Sequence, residues 1–150
     1  MKKIPLKAKE INRKLAHYQV ELSKKDQVIL FEDDDKKIIL VNKEPTFFYY
    51  NDQILPTLKY LQNHDVLKKI TVDMGAIKFV VNGADIMRPG IVKIEESIEK
   101  NDFIVIVDVE NKKPLAIGIA LLNSEEMQKQ ESGKSIKNIH YVGDEIWKLE

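Results

Sequence analysis

Short apolar segments separated by turn residues fill the chain after Ile70, and this pattern limits the fold more than any other feature. Each segment has the length of a strand, and short strands at regular spacing are typical of small barrels, which close to remove open edges. We therefore predict a five- or six-stranded barrel in this half of the chain. The strand-like segments are Ile70–Val72, Asp85–Met87, Ile91–Ile94, Phe103–Val109, Leu115–Leu122, Ile139–Val142 and Ile146–Leu149.

Two short helices interrupt the predicted strands. Asp73 is a natural N-cap for a helix over Met74–Asn82, and Gly83 suits the left-handed position that follows a helix. The second predicted helix is Ser124–Gln130. Gly118 lies inside an apolar strand, which indicates a bulge or the close approach of another backbone.

The first half of the chain predicts a separate α+β arrangement. Ile11, Leu15 and Tyr18 recur at helical spacing and indicate an amphipathic, basic helix over Leu6–Tyr18. The acidic run 33–35 is interpreted as a solvated hairpin tip, since adjacent strand residues face opposite sides and converge poorly on a metal ion. Three strands follow the helix, at Val28–Glu32, Lys37–Val41 and Thr46–Tyr50.

A second helix is predicted before the boundary between the halves. Asn51 or Asp52 would cap it, Pro56 would lie in its first turn, and its apolar residues are Ile54, Leu55, Leu58 and Leu61. The segment His64–Lys69 contains no Gly or Ser, which predicts a short ordered junction. We therefore expect an α+β domain over residues 1–68 and a mostly β domain with short helices over residues 69–150.

Charge is distributed unequally along a chain whose formal net charge is zero. Residues 1–70 carry 14 Lys and Arg against 10 Asp and Glu, and residues 71–150 carry 10 against 14. A uniformly basic surface, the usual mark of strong nonspecific nucleic-acid binding, is therefore missing. Any RNA should be bound through a local patch or with a partner.

Residues that could carry catalysis or hold a metal are scarce. The chain has no cysteine and three dispersed histidines, at positions 17, 64 and 140, and no phosphate-binding or nucleophile motif. No apolar run approaches the ~20 residues that span a bilayer, and the basic N-terminus lacks the apolar stretch of a secretory signal. We expect a cytoplasmic protein that is not an enzyme and uses no cofactor or metal.

Several motif blocks resemble one known family. Residues 72–90 read VDMGAIKFVVNGADIMRPG, residues 133–147 read GKSIKNIHYVGDEIW, and residues 44–61 read EPTFFYYNDQILPTLKYL. These blocks are similar, in order and spacing, to the malignant T-cell-amplified sequence family and its archaeal relatives, which have a pre-PUA domain followed by a PUA pseudo-barrel. The resemblance covers most of the chain and is weak over the first forty residues.

The resemblance implies an RNA-binding role in translation, in initiation or recycling, with tRNA or small-subunit ribosomal RNA as ligand. It also implies a translation factor like density-regulated protein as a partner. In PUA domains, RNA lies against the first helix, the glycine loop after it and the last strand. Carried over to this chain, that surface comprises Lys78, Asn82, Gly83, Ala84, Arg88, Pro89, Gly90, His140 and Tyr141.

The residues by themselves are less specific. Gly83 and the Pro89-Gly90 pair also suit turn geometry alone, Lys78 can be merely solvated, and His140 can be a structural histidine. Two other functions stay open: an accessory subunit of an RNA-modifying enzyme, and a protein-interaction module that does not bind RNA. Within the first domain, the basic segment Lys2–Lys14 is the alternative RNA-binding surface.

Overall fold

The computed structural model describes residues 1–149, which form two compact units. The first unit contains Met1–Val66 together with Lys148 and Leu149, and the second contains Leu67–Trp147. Each unit has a hydrophobic core of its own. No helix within residues 1–149 combines the length and apolar character that a membrane crossing requires.

Five antiparallel strands form the sheet of the first unit, in the order β1-β2-β3-β4-β5. The three predicted strands are confirmed, and the hairpin between β2 and β3 turns through Asp34 and Asp35, as expected. The outer strands β1 and β5 were not predicted. The strands are β1 (Lys2–Leu6), β2 (Val28–Asp33), β3 (Lys36–Val41), β4 (Glu44–Tyr50) and β5 (Gln53–Pro56).

Helix α1 (Ala8–Leu15), extended by a 3₁₀ turn over Ala16–Tyr18, covers one face of this sheet. The predicted amphipathic helix is confirmed in its central part, where Ile11 and Leu15 are buried. Leu6 belongs instead to β1, whose backbone pairs with β2. The basic segment is therefore a strand followed by a helix.

The prediction of a long second helix was wrong. Asn51 and Asp52 have φ angles of 47° and 64°, and this left-handed pair forms a two-residue turn that returns the chain as β5. Only α2 (Leu58–Leu61) is helical, and its N-cap is Thr57, whose hydroxyl accepts a hydrogen bond from the backbone N–H of Tyr60 at 3.3 Å. The spacing of the apolar residues fits both structures, and the turn decides between them.

The second unit is a six-stranded pseudo-barrel with strand order β7-β11-β10-β9-β6-β8. All pairs are antiparallel except β6 with β9, which is parallel and was not anticipated. Two short helices, α3 (Ile77–Val80) and α4 (Ser124–Lys129), connect its strands. The strands are β6 (Lys69–Val72), β7 (Ile86–Met87), β8 (Ile91–Ile94), β9 (Phe103–Asp108), β10 (Pro114–Ala120) and β11 (Lys134–Tyr141).

Two expectations for the end of the chain need correction. The last strand begins at Lys134 rather than Ile139, and residues 146–149 do not form a strand. β11 is longer than its apolar residues indicate because β7 and β10 pair with it from both sides. The predicted helix near residue 124 is confirmed as α4, which has a capping box formed by Asn123 and Glu126.

Gly118 marks a close approach inside the barrel, as predicted. The register of β10 against β11 shifts between Ile117 and Gly118. A Cβ at Gly118 would collide with the Ile136 side chain and would lie 2.8 Å from the backbone oxygen of Lys137. A backbone atom cannot move aside as a flexible side chain can, so the position accepts only glycine.

Substitution of Gly118 by alanine should therefore destabilise the second unit. We expect Gly118→Ala to lower the free energy of unfolding by about 1–3 kcal/mol, the usual cost of overpacking a core. Gly75→Ala is the matched control, because its Cβ would have no neighbour closer than 3.4 Å. Urea unfolding curves that are equal for the two variants would contradict the steric argument.

Candidate nucleic-acid interface

The segment 73–80 presents an exposed helix on the surface of the second unit. Asp73 caps it as predicted, with its Oδ1 accepting the Ala76 N–H at 2.9 Å. The helix is shorter than expected: a 3₁₀ turn over Met74–Ala76 leads into α3. Lys78 and Phe79 face solvent, and the Phe79 side chain is 58% exposed. Phe79 lines the same apolar cleft as the exposed Met87, and contiguous exposed apolar surface is a candidate contact with a ligand.

Gly83 ends α3 in the left-handed conformation, with a φ angle of +90°. Its N–H donates to the Val80 carbonyl at 3.0 Å. A Cβ at this position would lie 3.0 Å from Cε1 of Tyr141, so the tyrosine ring lies against the glycine. Gly83 is therefore required twice, for its backbone angle and for its contact with the last strand.

Two further predicted residues lie in the loop around Gly83. Asn82 is exposed, and its Nδ2 donates to the Lys78 carbonyl at 2.7 Å, which satisfies a carbonyl at the end of the helix. Ala84 is exposed as well, and its N–H donates to the Phe79 carbonyl at 3.0 Å. The loop is thus an ordered part of the helix end.

Asn138 of β11 holds this loop in place and was not among the predicted site residues. Its Nδ2 donates to the carbonyls of Val80 and Ala84, each at 3.0 Å, and its backbone N–H donates to Oδ1 of Asp85 at 3.0 Å. Asp85 also forms an ion pair with Lys134 at 3.1 Å. This asparagine is the first residue of the NIHY block, and its place in that motif was the sequence feature that could have pointed to it.

The Asp85 carboxylate is stabilised by these contacts. Partial burial by itself would raise its pKa, but the hydrogen bonds from Asn138 and Lys134 and the charges of Lys134 and Lys137 outweigh it and lower the pKa. Asp85 is therefore ionised near neutral pH. The Lys134 ammonium group is correspondingly engaged within the protein.

An apolar cleft of about 490 Å³ opens between α3 and the segment that follows β7. Its walls include the exposed Phe79 and Met87, the latter 46% exposed. Three predicted residues, Ala84, Pro89 and Gly90, line it. The remaining lining residues are Asp73, Gly75, Ala76, Val80, Asp85 and Ile86. Such a cleft accepts a flat apolar group, and its two carboxylates lie among otherwise apolar walls.

Arg88 is used within the fold. Its Nε donates to the Met127 carbonyl at 2.6 Å, and its Nη1 donates to the Ile91 carbonyl at 3.1 Å. The sequence favoured a free guanidinium group that contacts a phosphate, whereas in the structure two nitrogens of this group donate hydrogen bonds to backbone carbonyls. Met127 is fully buried, so Arg88 ties α4 to the start of β8.

His140 lies beneath the interface with none of its surface exposed. Its Nδ1 is 2.7 Å from Oδ2 of Asp144. Asp144 also accepts the backbone N–H groups of Tyr141 and Trp147, each at 2.9 Å. Since an ionised carboxylate only accepts hydrogen bonds, His140 is the donor. The pair locks the turn that follows β11 and keeps the Tyr141 ring against Gly83.

The structure thus sorts the nine predicted residues. Lys78, Asn82, Gly83, Ala84, Pro89, Gly90 and Tyr141 lie at the helix, loop and cleft, whereas Arg88 and His140 support them from inside. Phe79, Met87 and Asn138 lie at the same candidate interface and were not among the predicted residues. Within residues 1–149, no cluster of three or more His, Asp or Glu side chains could hold a metal ion.

Comparisons with known proteins identify the class to which this architecture belongs. The family model described as PUA domain matches residues 68–142, and the one described as domain of unknown function (DUF1947) matches residues 5–64. The chain belongs to the PUA-domain proteins.

Within that class, the chain is homologous to the family of translation machinery-associated protein 20 and the malignant T-cell-amplified sequence proteins. Translation machinery-associated protein 20 of Schizosaccharomyces pombe is 35% identical over 68% of this chain and 59% of its own length. Malignant T-cell-amplified sequence 2 of Homo sapiens is 38% identical over 63% and 54%. An uncharacterized protein of Methanocaldococcus jannaschii is 50% identical over 69% and 64%. The matched region is less than two thirds of the length of each relative.

Solved structures show the same fold. A hypothetical protein from Pyrococcus horikoshii superimposes with a TM-score of 0.86 and 37% identity over 99% of both chains. A chain of an H/ACA RNP bound to a substrate RNA superimposes with a TM-score of 0.52 and 26% identity, over 64% of this chain and 29% of that chain. The first likeness extends over both units.

Ionisation of the Asp144 carboxylate should make the free energy of unfolding depend on pH in the acid range. Burial raises its pKa, but the hydrogen bond and charge of His140 and the two backbone N–H groups outweigh this, so the folded pKa is below its usual value. The contribution of Asp144 to the free energy of unfolding is fully present above about pH 3.9, the pKa of Asp in an unfolded chain. This contribution is lost as the pH falls through the lower pKa that Asp144 has in the folded protein.

Asp144→Asn should therefore lose about 1–3 kcal/mol of unfolding free energy at pH 7 and show a weaker loss between neutral and acid pH than the wild type. Urea unfolding from pH 3 to pH 7 measures both. Glu131→Gln, at an exposed position, is the control and should follow the wild-type curve. An Asp144→Asn curve parallel to the wild type would exclude this role.

Proposed function

We propose that this protein binds RNA in the translation apparatus through the surface formed by α3, the loop 82–84, the cleft and the end of β11. The observation that carries the proposal is the open apolar cleft beside an exposed Phe79, with the Lys78 ammonium group over the Phe79 ring, in a PUA unit. The name of the homologous translation machinery-associated protein 20 supports a place in translation.

The chemistry of the cleft fits an unpaired base better than a duplex. Bases that are splayed out of a helix stack on aromatic side chains and are read at their edges, and stacking on an aromatic side chain contributes about 1–3 kcal/mol per base. Phe79 offers such a face, and carboxylates such as Asp73 and Asp85 accept hydrogen bonds from amino groups. The Lys78 ammonium group, 5.1 Å from the centre of the Phe79 ring, lies where it can meet a phosphate.

The proposed ligand is tRNA or small-subunit ribosomal RNA, bound in initiation or recycling. A translation factor like density-regulated protein is the proposed protein partner, in keeping with the family. The proposed location is the cytoplasm. We propose a role in binding alone, without a cofactor and without catalysis, since the interface presents an apolar cleft, a lysine and structural hydrogen bonds.

A second candidate function is an accessory subunit of an RNA-modifying enzyme. The likeness to a chain of an H/ACA RNP bound to a substrate RNA favours it. Both candidates use the same surface, so they differ in the complex that the protein joins.

Sedimentation distinguishes the two complexes. In a lysate at low salt, part of the protein should sediment with small ribosomal subunits and leave them at high salt, because contacts with phosphates weaken as salt rises. The measurement is immunodetection across a sucrose gradient. If all of the protein stays at the top of the gradient and copurifies with a modification enzyme, the second function replaces the first.

Single substitutions distinguish residues that contact RNA from residues that only stabilise the binding surface. Lys78→Ala should lower the slope of log affinity against log salt by roughly 0.7 for a single-stranded RNA, with stability changed by less than about 0.5 kcal/mol. Phe79→Ala should weaken binding by about 1–3 kcal/mol. Fluorescence anisotropy with a tRNA transcript measures both effects.

Arg88→Ala is the comparison, because it removes hydrogen bonds from the carbonyls of Met127 and Ile91. Its main effect should be a lower unfolding free energy, by about 1–3 kcal/mol. Normal RNA affinity and salt slope in folded Lys78→Ala and Phe79→Ala proteins would place the RNA on another surface.

A further inference from the structure

A basic groove lies in the first unit, between α1 and the segment 19–24. Its volume is about 730 Å³, and Lys9 and Arg13 of α1 line it together with Lys24 of the facing segment. Among residues 1–149, Glu21 is the only carboxylate that lines it. All four side chains are exposed, so the groove has an excess of positive charge on its surface.

The three cations are not engaged elsewhere. Neither Lys9, Arg13 nor Lys24 makes an ion pair or a side-chain hydrogen bond with another of the residues 1–149. At the candidate interface of the second unit, Arg88 donates to two carbonyls and Lys134 pairs with Asp85, whereas Lys78 makes no ion pair within residues 1–149. Lys9, Arg13 and Lys24 are therefore free to neutralise an external anion.

The spacing of the cations suits a chain of anions. Lys9 and Arg13 are four residues apart, so they lie on one face of the helix and about 6 Å apart along its axis. That rise is similar to the step between consecutive phosphates of a nucleic-acid strand. The small side chains of Ala8 and Ala16 line the groove beside them and leave room for a sugar–phosphate backbone.

Hydrogen bonds hold the facing segment in place before any ligand binds. Oδ1 of Asn12 accepts the Leu22 N–H at 2.7 Å, and its Nδ2 donates to the Leu22 carbonyl at 3.0 Å. Asp26 accepts the Ser23 N–H and the Asn42 Nδ2 group, each at 2.9 Å. A groove that is already formed loses less entropy on binding.

The same hydrogen bonds determine what the groove can recognise. The Asn12 amide, which could otherwise read a base edge, is occupied by Leu22 on both of its polar atoms. Cations that contact phosphates position a nucleic acid without reading its sequence, whereas amide groups on base edges specify it. The groove therefore suits a backbone and not a particular base.

We propose that this groove is a second RNA-binding site, which binds the phosphate backbone independently of sequence. The proposal rests on the RNA binding proposed for the chain and adds to it a contact by the first unit. Under this proposal the two units have different roles. The groove of the first unit supplies most of the salt-dependent affinity for RNA, and the cleft of the second unit supplies contacts with unpaired bases.

The test uses the full-length protein and two labelled probes, a 16-base-pair RNA duplex of arbitrary sequence and a tRNA transcript. The groove variant combines Lys9→Ala, Arg13→Ala and Lys24→Ala. The control combines Lys36→Ala, Lys37→Ala and Lys43→Ala, which removes the same charge from exposed positions of the same unit outside the groove and outside the basic segment Lys2–Lys14. Lys78→Ala is measured alongside, and thermal melts confirm that each variant is folded.

For the duplex, the groove variant should lower the slope of log affinity against log salt by about 0.9 for each phosphate that is no longer neutralised, so by roughly two to three. Its affinity at low salt should fall roughly ten-fold or more, while the control stays within about two-fold of the wild type. A groove variant that matches the wild type on both probes overturns the proposal, and the cations would then face an acidic protein segment. An equal reduction in the control also overturns it, since net charge alone would explain the effect.

The two proposals fail separately. Loss of binding in Lys78→Ala with a normal groove variant leaves the cleft as the RNA site and rejects the groove. Loss of binding in the groove variant with normal binding in Lys78→Ala and Phe79→Ala supports the groove and rejects the cleft.

Discussion

The pairing of β11 with β10 on one side and β7 on the other is the interaction on which the rest of the second unit depends. Side chains alternate along a strand, so a register shift of one residue would turn every β11 side chain to the other face. The bulge at Gly118 and the tight packing of Ile136 over it fix that register. With the register fixed, Asn138 meets the end of α3 and Tyr141 meets Gly83.

Hydrogen bonds from β11 hold the candidate interface in place. Few charged side chains at this interface are left without a partner within residues 1–149 of the protein. Arg88 is engaged with backbone carbonyls and Lys134 with Asp85. What remains at the surface is an aromatic ring, an apolar cleft and a lysine. Such a surface favours contacts with exposed bases over general attraction to phosphates, in agreement with the acidic balance of residues 71–150.

Much of the fold could be predicted from the sequence because local signals and tertiary structure agree there. Short apolar segments bounded by turn residues predicted β2, β3, β4, β9 and β10, and the Asp73 cap and Gly83 placed α3. The failures are local patterns that fit two structures. Apolar residues from Ile54 to Leu61 suit a helix, but the left-handed turn at Asn51 and Asp52 pairs the chain with β4. The parallel pairing of β6 with β9 joins segments more than thirty residues apart, and no local pattern encodes it.

The sequence by itself determined the family and the residues that need glycine, and it indicated the positions of the candidate interface along the chain, because motif spacing and backbone requirements are local properties. Only the tertiary structure decided what each side chain is free to do. The sequence predicted Arg88 and His140 as candidate ligand contacts. In the fold, Arg88 donates to backbone carbonyls and His140 is buried. Lys9 and Arg13 belong to the basic segment that the sequence offered as an alternative RNA-binding surface, and the fold places them with Lys24 around one groove, without an ion pair to any other of the residues 1–149. Hydrogen-bond partners come from residues distant in the chain, so their presence or absence is settled only by packing.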